Sequence, residues 1–277
     1  MPNLGDLPKD IYRLLESGKL SQEGISRFAV EVEALLLARF SEERGNDTQL
    51  RMSNLGEPCE RKLYWKIRNP EEGEPLTGQT LLKFLYGDLV ELLVIFLAEE
   101  AGHSVEGRQD ELVLEGVKGH RDAIVDGVLV DVKSASGFGY QKFKDHKLEQ
   151  EDSFGYLAQL GAYLRASQAD PLLKVKSQAA FIGVDKVTGA MCIDVYTPPM
   201  DTDIARKQQM LSLDKVPARA FADVPDGASG NRKLGVNCSY CQFHDKCWPG
   251  LRSFAYSNGP RHLTVVKREP EVTEIRK

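Results

Sequence analysis

The chain has 277 residues, of which 42 % are hydrophobic and 28 % charged, and a formal net charge of −5. This composition reads as soluble and globular, with length for one large domain or one domain with appendages. The net charge is no hallmark of a nucleic-acid binder, yet it excludes none, because affinity depends on local Lys/Arg patches and a bound metal offsets carboxylates. The start, MPNLGDLPKDIY, lacks a basic region followed by an apolar run, so no export signal is expected and the chain reads as cytoplasmic. The most apolar segment, near 81–98, contains Lys83, Asp88 and Glu91 and reads as no membrane span. Five cysteines in this setting argue for reduced thiols or a metal rather than a disulfide framework.

Residues 8–45 read as helical, with Pro8 in a first turn, a second helix after Ser21, and a Gly45-Asn46 breaker closing the region. In 50–68, Pro58-Cys59 breaks the chain, and a segment mixing Arg61, Lys62, Lys66 and Arg68 with Tyr64 and Trp65 follows. That mixture suits a single nucleic-acid strand, with bases on rings and phosphates on cations, and equally suits an amphipathic helix whose aromatics are core. Residues 69–79 form an acidic loop carrying Glu71, Glu72 and Glu74. A helix over 80–101 follows, with leucines on most sides and Glu91 inside its apolar run, where a carboxylate must be edge-exposed, paired or metal-bound.

Residues 105–115 read as a strand leading into GHRDAIVDGVLVDVK, Gly119 to Lys133. Asp126-Gly127 is a type I′ hairpin signal, flanked by the β-favouring AIV and VLV. With those two residues as the loop, Val125 faces Val128, Ile124 faces Leu129, Ala123 faces Val130 and Asp122 faces Asp131. Facing side chains share one side, with Cβ atoms about 4.5–5.5 Å apart, and Lys133 lies on the same side by the two-residue period. Facing carboxylates repel, and a divalent cation between them removes the penalty; an oxygen-rich site of this kind suits Mg²⁺ or Mn²⁺. The opposing reading is an ordinary solvated charge face.

Lys142, Lys144, His146 and Lys147 then form a basic patch offset by Asp145 and Glu149. A helix over 151–168 places Gln159 and Tyr163 one turn apart. Segments 175–184 and 190–196 read as a hairpin with Cys192 as a core thiol, 201–216 as a helix, 217–237 as loop, and the last twenty or so residues as a strand plus a charged tail. Cys238, Cys241 and Cys247 form a Cx₂Cx₅C pattern, and Cys59 is the obvious fourth thiolate, which would close a long loop. Four thiolates permit zinc or an iron–sulfur cluster. His244 is another candidate ligand, giving a zinc site without Cys59.

Taken together, these motifs resemble the PD-(D/E)xK nuclease superfamily, specifically its RecB-like, Cas4-like exonucleases with a four-cysteine iron–sulfur cluster, over about residues 51–250. The carrying residues are Gly87 with Glu91 (where Cas4-like members commonly have His), Gly119 to Asp122, Asp131-Val132-Lys133, Gln159 to Tyr163, and Cys59 far upstream of Cys238, Cys241 and Cys247. The resemblance implies an α/β fold: a restriction-endonuclease-like core with a mixed central sheet flanked by helices over 51–200. A helical region over 1–50 would precede it, and a C-terminal region over 201–277 would hold the cluster cysteines. It implies that Glu91, Asp122, Asp131 and the Val132 carbonyl hold Mg²⁺ or Mn²⁺, that Lys133 positions the water, and that Gln159 and Tyr163 steer the strand. It also turns the cysteine site from zinc to a structural [4Fe–4S] cluster. The implied activity is a metal-dependent exonuclease on DNA ends, on single strands above all, with recombination, helicase or CRISPR-adaptation proteins as partners and room for a homo-oligomer. Two other readings compete: a non-catalytic nucleic-acid-binding or assembly protein with a structural metal centre, and a thiol redox protein using Cys238 and Cys241.

Overall fold

The structure, a computed structural model, describes residues 3–41 and 48–275; the Met1-Pro2 start and the Gly45-Asn46 breaker lie outside the described residues. The chain is a mixed α/β protein, with helices flanking sheets, in two compact units. The first takes in the described residues of 1–46, 50–56 and 77–205, the second those of 47–49, 57–76 and 206–277. No helix among the described residues is long and apolar enough to cross a membrane.

Local chemistry sets the helices of the first unit. Pro8 sits in the first turn of the helix Leu7–Ser17, which Gly18 ends in the left-handed conformation at φ 64°. Ser21 caps the helix Gln22–Phe40 by accepting from Gly24 N at 2.9 Å, and Thr77 caps the helix Gly78–Glu100 by accepting from Thr80 N at 3.2 Å. That long helix buries Val94 to Ala98, while Leu81, Leu82, Phe84 and Tyr86 are exposed. The apolar residues expected on most sides of this helix are thus buried mainly in its second half and exposed mainly in its first.

Seven strands follow in this unit. They are β1 (Val105–Glu106), β2 (Glu111–Leu114), β3 (Val117–His120), β4 (Ala123–Val125), β5 (Val128–Ala135), β6 (Ala179–Asp185) and β7 (Met191–Tyr196). The central sheet has the order β1-β4-β5-β6-β7, and β2 and β3 pair apart from it. The segment 105–115 is thus two short strands in two sheets, not one. β4 and β5 form the expected hairpin: Ala123↔Val130, Ile124↔Leu129 and Val125↔Val128, with Asp126 at φ 53° and Gly127 at φ 82°. β5 runs parallel to β6, and β6 is antiparallel to β7. The parallel step needs a crossover, supplied by the helices Gly137–Lys144, Leu148–Glu151 and Tyr156–Ala166.

Strand alternation sorts the sheet into two cores. On one face Ile124, Leu129 and Phe181 pack with Phe143, Leu160, Tyr163 and Leu164 from the crossover helices. On the other, Ala123, Val125, Val130, Val132, Ala180 and Ile182 pack with Leu7, Ile11 and Val94 to Ala98. Asp131 and Lys133 therefore project toward the crossover helices, in line with Leu129.

The second unit holds a sheet in the order β12-β10-β11-β9-β8. Its strands are β8 (Val224–Pro225), β9 (Arg232–Lys233), β10 (Arg252–Tyr256), β11 (Gly259–Val265) and β12 (Glu274–Ile275). The region expected as a strand and a loose tail holds the strand β11, and after it the two-residue strand β12 pairs with β10. Arg252 ties it by pairing with both Glu269 and Glu274. The helix Glu60–Arg68 belongs to this unit, with Tyr64 and Trp65 buried. Between the two readings of that segment, the core reading is the observed one. Arg61 and Lys246 lie over the Trp65 ring at 5.3 Å each, and Lys62 pairs with Glu57 at 2.6 Å.

A buried arginine fixes the break between β3 and β4. Arg121 is 1 % exposed and donates to Gly107 O (3.0 Å), Asp110 Oδ2 (2.6 Å) and Asp170 Oδ2 (2.6 Å). Asp170 remains charged for it, its pKa held below the usual range: burial opposes this, and the Leu172 N–H and Arg121 outweigh burial. Arg121→Met leaves a carboxylate without its partner and is expected to lower stability by about 3 kcal/mol. Urea unfolding is the measurement, and a loss below about 0.5 kcal/mol, typical of a bland surface change, would contradict this role.

Candidate functional site

Glu91, Asp122, Asp131, Lys133, Gln159 and Tyr163 come together in the first unit. Asp131 is only 3 % exposed, in the middle of β5. Lys133 Nζ lies 2.6 Å from Asp131 Oδ1, and Gln159 Nε2 donates to Asp131 Oδ2 at 3.1 Å. Tyr163 hydrogen-bonds Gln159 and lies near both aspartates. Its ring passes close over β3, where a Cβ on Gly119 would meet Tyr163 and Met52 at 2.7 and 2.8 Å. Gly119 is thus a close-approach glycine.

Asp122 does not sit opposite Asp131 in the ladder. Pairing of β4 with β5 ends at Ala123↔Val130, and Asp122 Oδ2 instead accepts from Val132 N at 2.7 Å. The Val132 carbonyl belongs to the same stretch, and its side chain is in the core beneath. Glu91, from the helix on the other face, accepts from Gln109 Nε2.

Like charge governs the electrostatics. Burial, then Asp131 and Glu91, push the Asp122 carboxyl well above its ordinary value of 3.8. Burial, then Asp131, push Glu91 from 4.5 to about 7. Burial works against the Lys133 ammonium, yet Asp131 and Asp122 hold its pKa above the ordinary value. The arrangement is a carboxylate cluster with one ammonium and one amide inside it. Such a set can hold a hard cation and place an amine beside a phosphate.

The second unit gathers the cysteines. Cys59, Cys238, Cys241 and Cys247 line one cavity of about 20 Å³ with Arg61, Lys62, Trp65 and His244. Burial raises the Cys238 thiol and pushes Cys241 up to about 11, away from the thiolate that a redox CxxC uses. Cys192 is a half-buried strand thiol, pushed up to about 11 by burial.

Another group carries the metal-binding geometry. Glu74, His244 and Asp245 each offer one donor atom, and these atoms all lie within 4.8 Å of one another. His244 is 6 % exposed. Its Nδ1 lies 2.6 Å from the Cys241 carbonyl, so it carries the hydrogen and leaves the Nε2 lone pair free to ligate. Nε2 is buried without a hydrogen bond, 3.6 Å from Glu74 Oε2 and 3.4 Å from Asp245 Oδ1. Ligand bonds of about 2.0–2.2 Å in a tetrahedron put donors about 3.4 Å apart.

No family model matches the chain, and no curated protein matches it. A solved structure described as the crystal structure of SSO0001 is similar at 16 % identity and a TM-score of 0.42, over 78 % of this chain and 91 % of that one.

These findings correct three expectations. Membership of the PD-(D/E)xK superfamily, and of its RecB-like, Cas4-like exonucleases, is not borne out, since no nuclease family matches. The [4Fe–4S] cluster on Cys59, Cys238, Cys241 and Cys247 is replaced by a mononuclear His/Glu/Asp site, because among the described residues the donor atoms close enough to share one ion are those of Glu74, His244 and Asp245. The cofactor set of Mg²⁺ or Mn²⁺ with that cluster, or four-thiolate zinc in its place, is corrected to a mononuclear site in the second unit for one divalent ion such as Zn²⁺, which a nitrogen and two carboxylates suit. His244 was visible in the sequence as a ligand. Glu74 was visible only as loop acidity, because its partners lie some 170 positions away.

The native Glu91 carboxyl keeps its proton to about pH 7, whereas an ordinary one loses it near 4.5. Between these values the native state binds more protons, so with chelator present stability falls as pH rises through that window. Glu91→Gln removes that part of the slope, and pH-resolved thermal melts of both proteins will read it. Elemental analysis of purified protein is expected to give about one Zn²⁺ per chain, lost in His244→Ala. Retention in His244→Ala with loss in Cys241→Ser would return the ligand role to the thiols.

Proposed function

We propose that this protein is a divalent-cation-dependent phosphodiester hydrolase acting on DNA ends, with single-stranded DNA as its main substrate, in the cytoplasm. The observation behind the reading is a nearly buried carboxylate, Asp131, held between the Lys133 ammonium and the Gln159 amide, with Asp122 and Glu91 near enough for its charge to raise the pKa of each. The donors fit a hard cation: they are carboxylate oxygens, and Asp131 Oδ1 is buried with no hydrogen bond beyond the Lys133 ion pair. Glu91, Asp122, Asp131 and the Val132 carbonyl would hold it. A cation bound there supplies hydroxide at neutral pH and polarises the phosphate.

The remaining work belongs to the chain. Lys133 offsets charge growing on the phosphoryl oxygens and orients the attacking water. Gln159 fixes the Asp131 rotamer by its hydrogen bond, and Tyr163 holds Gln159. The Val132 N–H fixes Asp122. The same residues support the finer fold reading, a restriction-endonuclease-like arrangement of the mixed sheet.

A second reading has its own observation. Glu74, His244 and Asp245 supply a structural metal centre in the second unit, which suits a non-catalytic nucleic-acid-binding or assembly protein.

Asp131→Asn separates the two. We expect wild type to shorten end-labelled DNA when divalent salts are added and to stop with chelator, and D131N to lose at least a hundredfold in rate with its fold intact. Binding of DNA without cleavage by wild type, under any divalent salt, would select the second reading.

A further inference from the structure

An aromatic ladder leads out of the acidic site. Lys133 Nζ lies over the Tyr156 ring at 4.8 Å, and Phe154 stacks on Tyr156 with ring centroids 5.4 Å apart and an interplanar angle of 29°. Tyr156 is half-buried and backs onto Phe143 at 6.0 Å and Phe181 at 6.1 Å. Phe154 is 71 % exposed. Its inner face is occupied by Tyr156, and its exposure leaves ring surface open to solvent.

The turn that carries Phe154 is built to hold it. Asp152 accepts from the backbone N–H of Phe154 (3.3 Å), Tyr156 (2.9 Å) and Leu157 (2.9 Å), capping the helix Tyr156–Ala166. Gly155 is left-handed at φ 74°, and a Cβ there would collide with the Gly56 carbonyl. A large apolar side chain on an ordered turn costs little entropy to bind against. Lys142 pairs with Glu151 of the same turn at 3.4 Å and lies over Phe138, itself 77 % exposed, at 5.4 Å.

We propose that Phe154 is a stacking platform for a nucleobase of the strand whose phosphate lies at Lys133, and so a positioning residue that favours unpaired DNA. This rests on the hydrolase reading for its placement. A base inside a duplex has both faces covered, whereas an unpaired base has a face to give to an aromatic ring. Tyr156 links the two functions, with one neighbour on the ammonium and the other on the platform.

The test compares wild type, Phe154→Ala and Phe154→Trp on a short single-stranded oligonucleotide and on the same oligonucleotide with abasic sites. Binding is read by fluorescence anisotropy and cleavage as KM against kcat, with melting curves as the folding control. Phe154→Ala is expected to weaken binding of the base-bearing strand about tenfold, mostly in KM, to leave the abasic strand unchanged, and to be rescued by Phe154→Trp. Equal effects on both strands, or none, would overturn the proposal. If wild type cleaves neither strand while the base-dependent binding loss persists, the platform stands and the hydrolase reading falls.

Discussion

Three carboxyl groups lie around one lysine in the first unit, and the fold around them handles that repulsion. Asp131 is nearly buried, so its charge is supportable only with partners. Lys133 supplies a countercharge at 2.6 Å and Gln159 a hydrogen bond at 3.1 Å. Asp122 is turned to the Val132 N–H, and its carboxyl is biased toward the protonated form. Glu91 is biased the same way. Asp122 owes its place to Arg121, whose three bonds pin the break before β4.

The legible parts of the molecule are those written in short-range chemistry. Asp126-Gly127 specifies the hairpin register through its turn geometry, and the two-residue period carries Asp131 and Lys133 to one face without knowledge of the rest. Gln159 and Tyr163 need only a helix. What failed needed tertiary information. Tyr64 and Trp65 could cover a strand of DNA or a protein core, and only burial decides. The leucines of the helix Gly78–Glu100 look equivalent in sequence, yet its first half is exposed. Asp122 leaves the ladder beside the buried Arg121, whose partner Asp170 is 49 positions away in the chain. The cysteine spacing correctly placed four thiols around one cavity but not the ligands of a metal. His244 with Glu74 and Asp245 is a long-range group with no spacing signature.

The two units thus carry different donor chemistry. Oxygen atoms beside an amine, in the first, match phosphate and a hard cation. One imidazole nitrogen with two carboxylates, in the second, matches a borderline ion such as zinc. The catalytic role we propose belongs to the first, and the second suits a structural role.

We propose that the acidic cluster of the first unit holds a cation. A crystal structure of the protein soaked with divalent salts tests it most directly. An anomalous-scattering peak is expected about 2.0–2.6 Å from carboxylate oxygens of Asp131 and at least one of Asp122 and Glu91. Density confined to Glu74, His244 and Asp245, with Lys133 still closed on an ion-free Asp131, would contradict it.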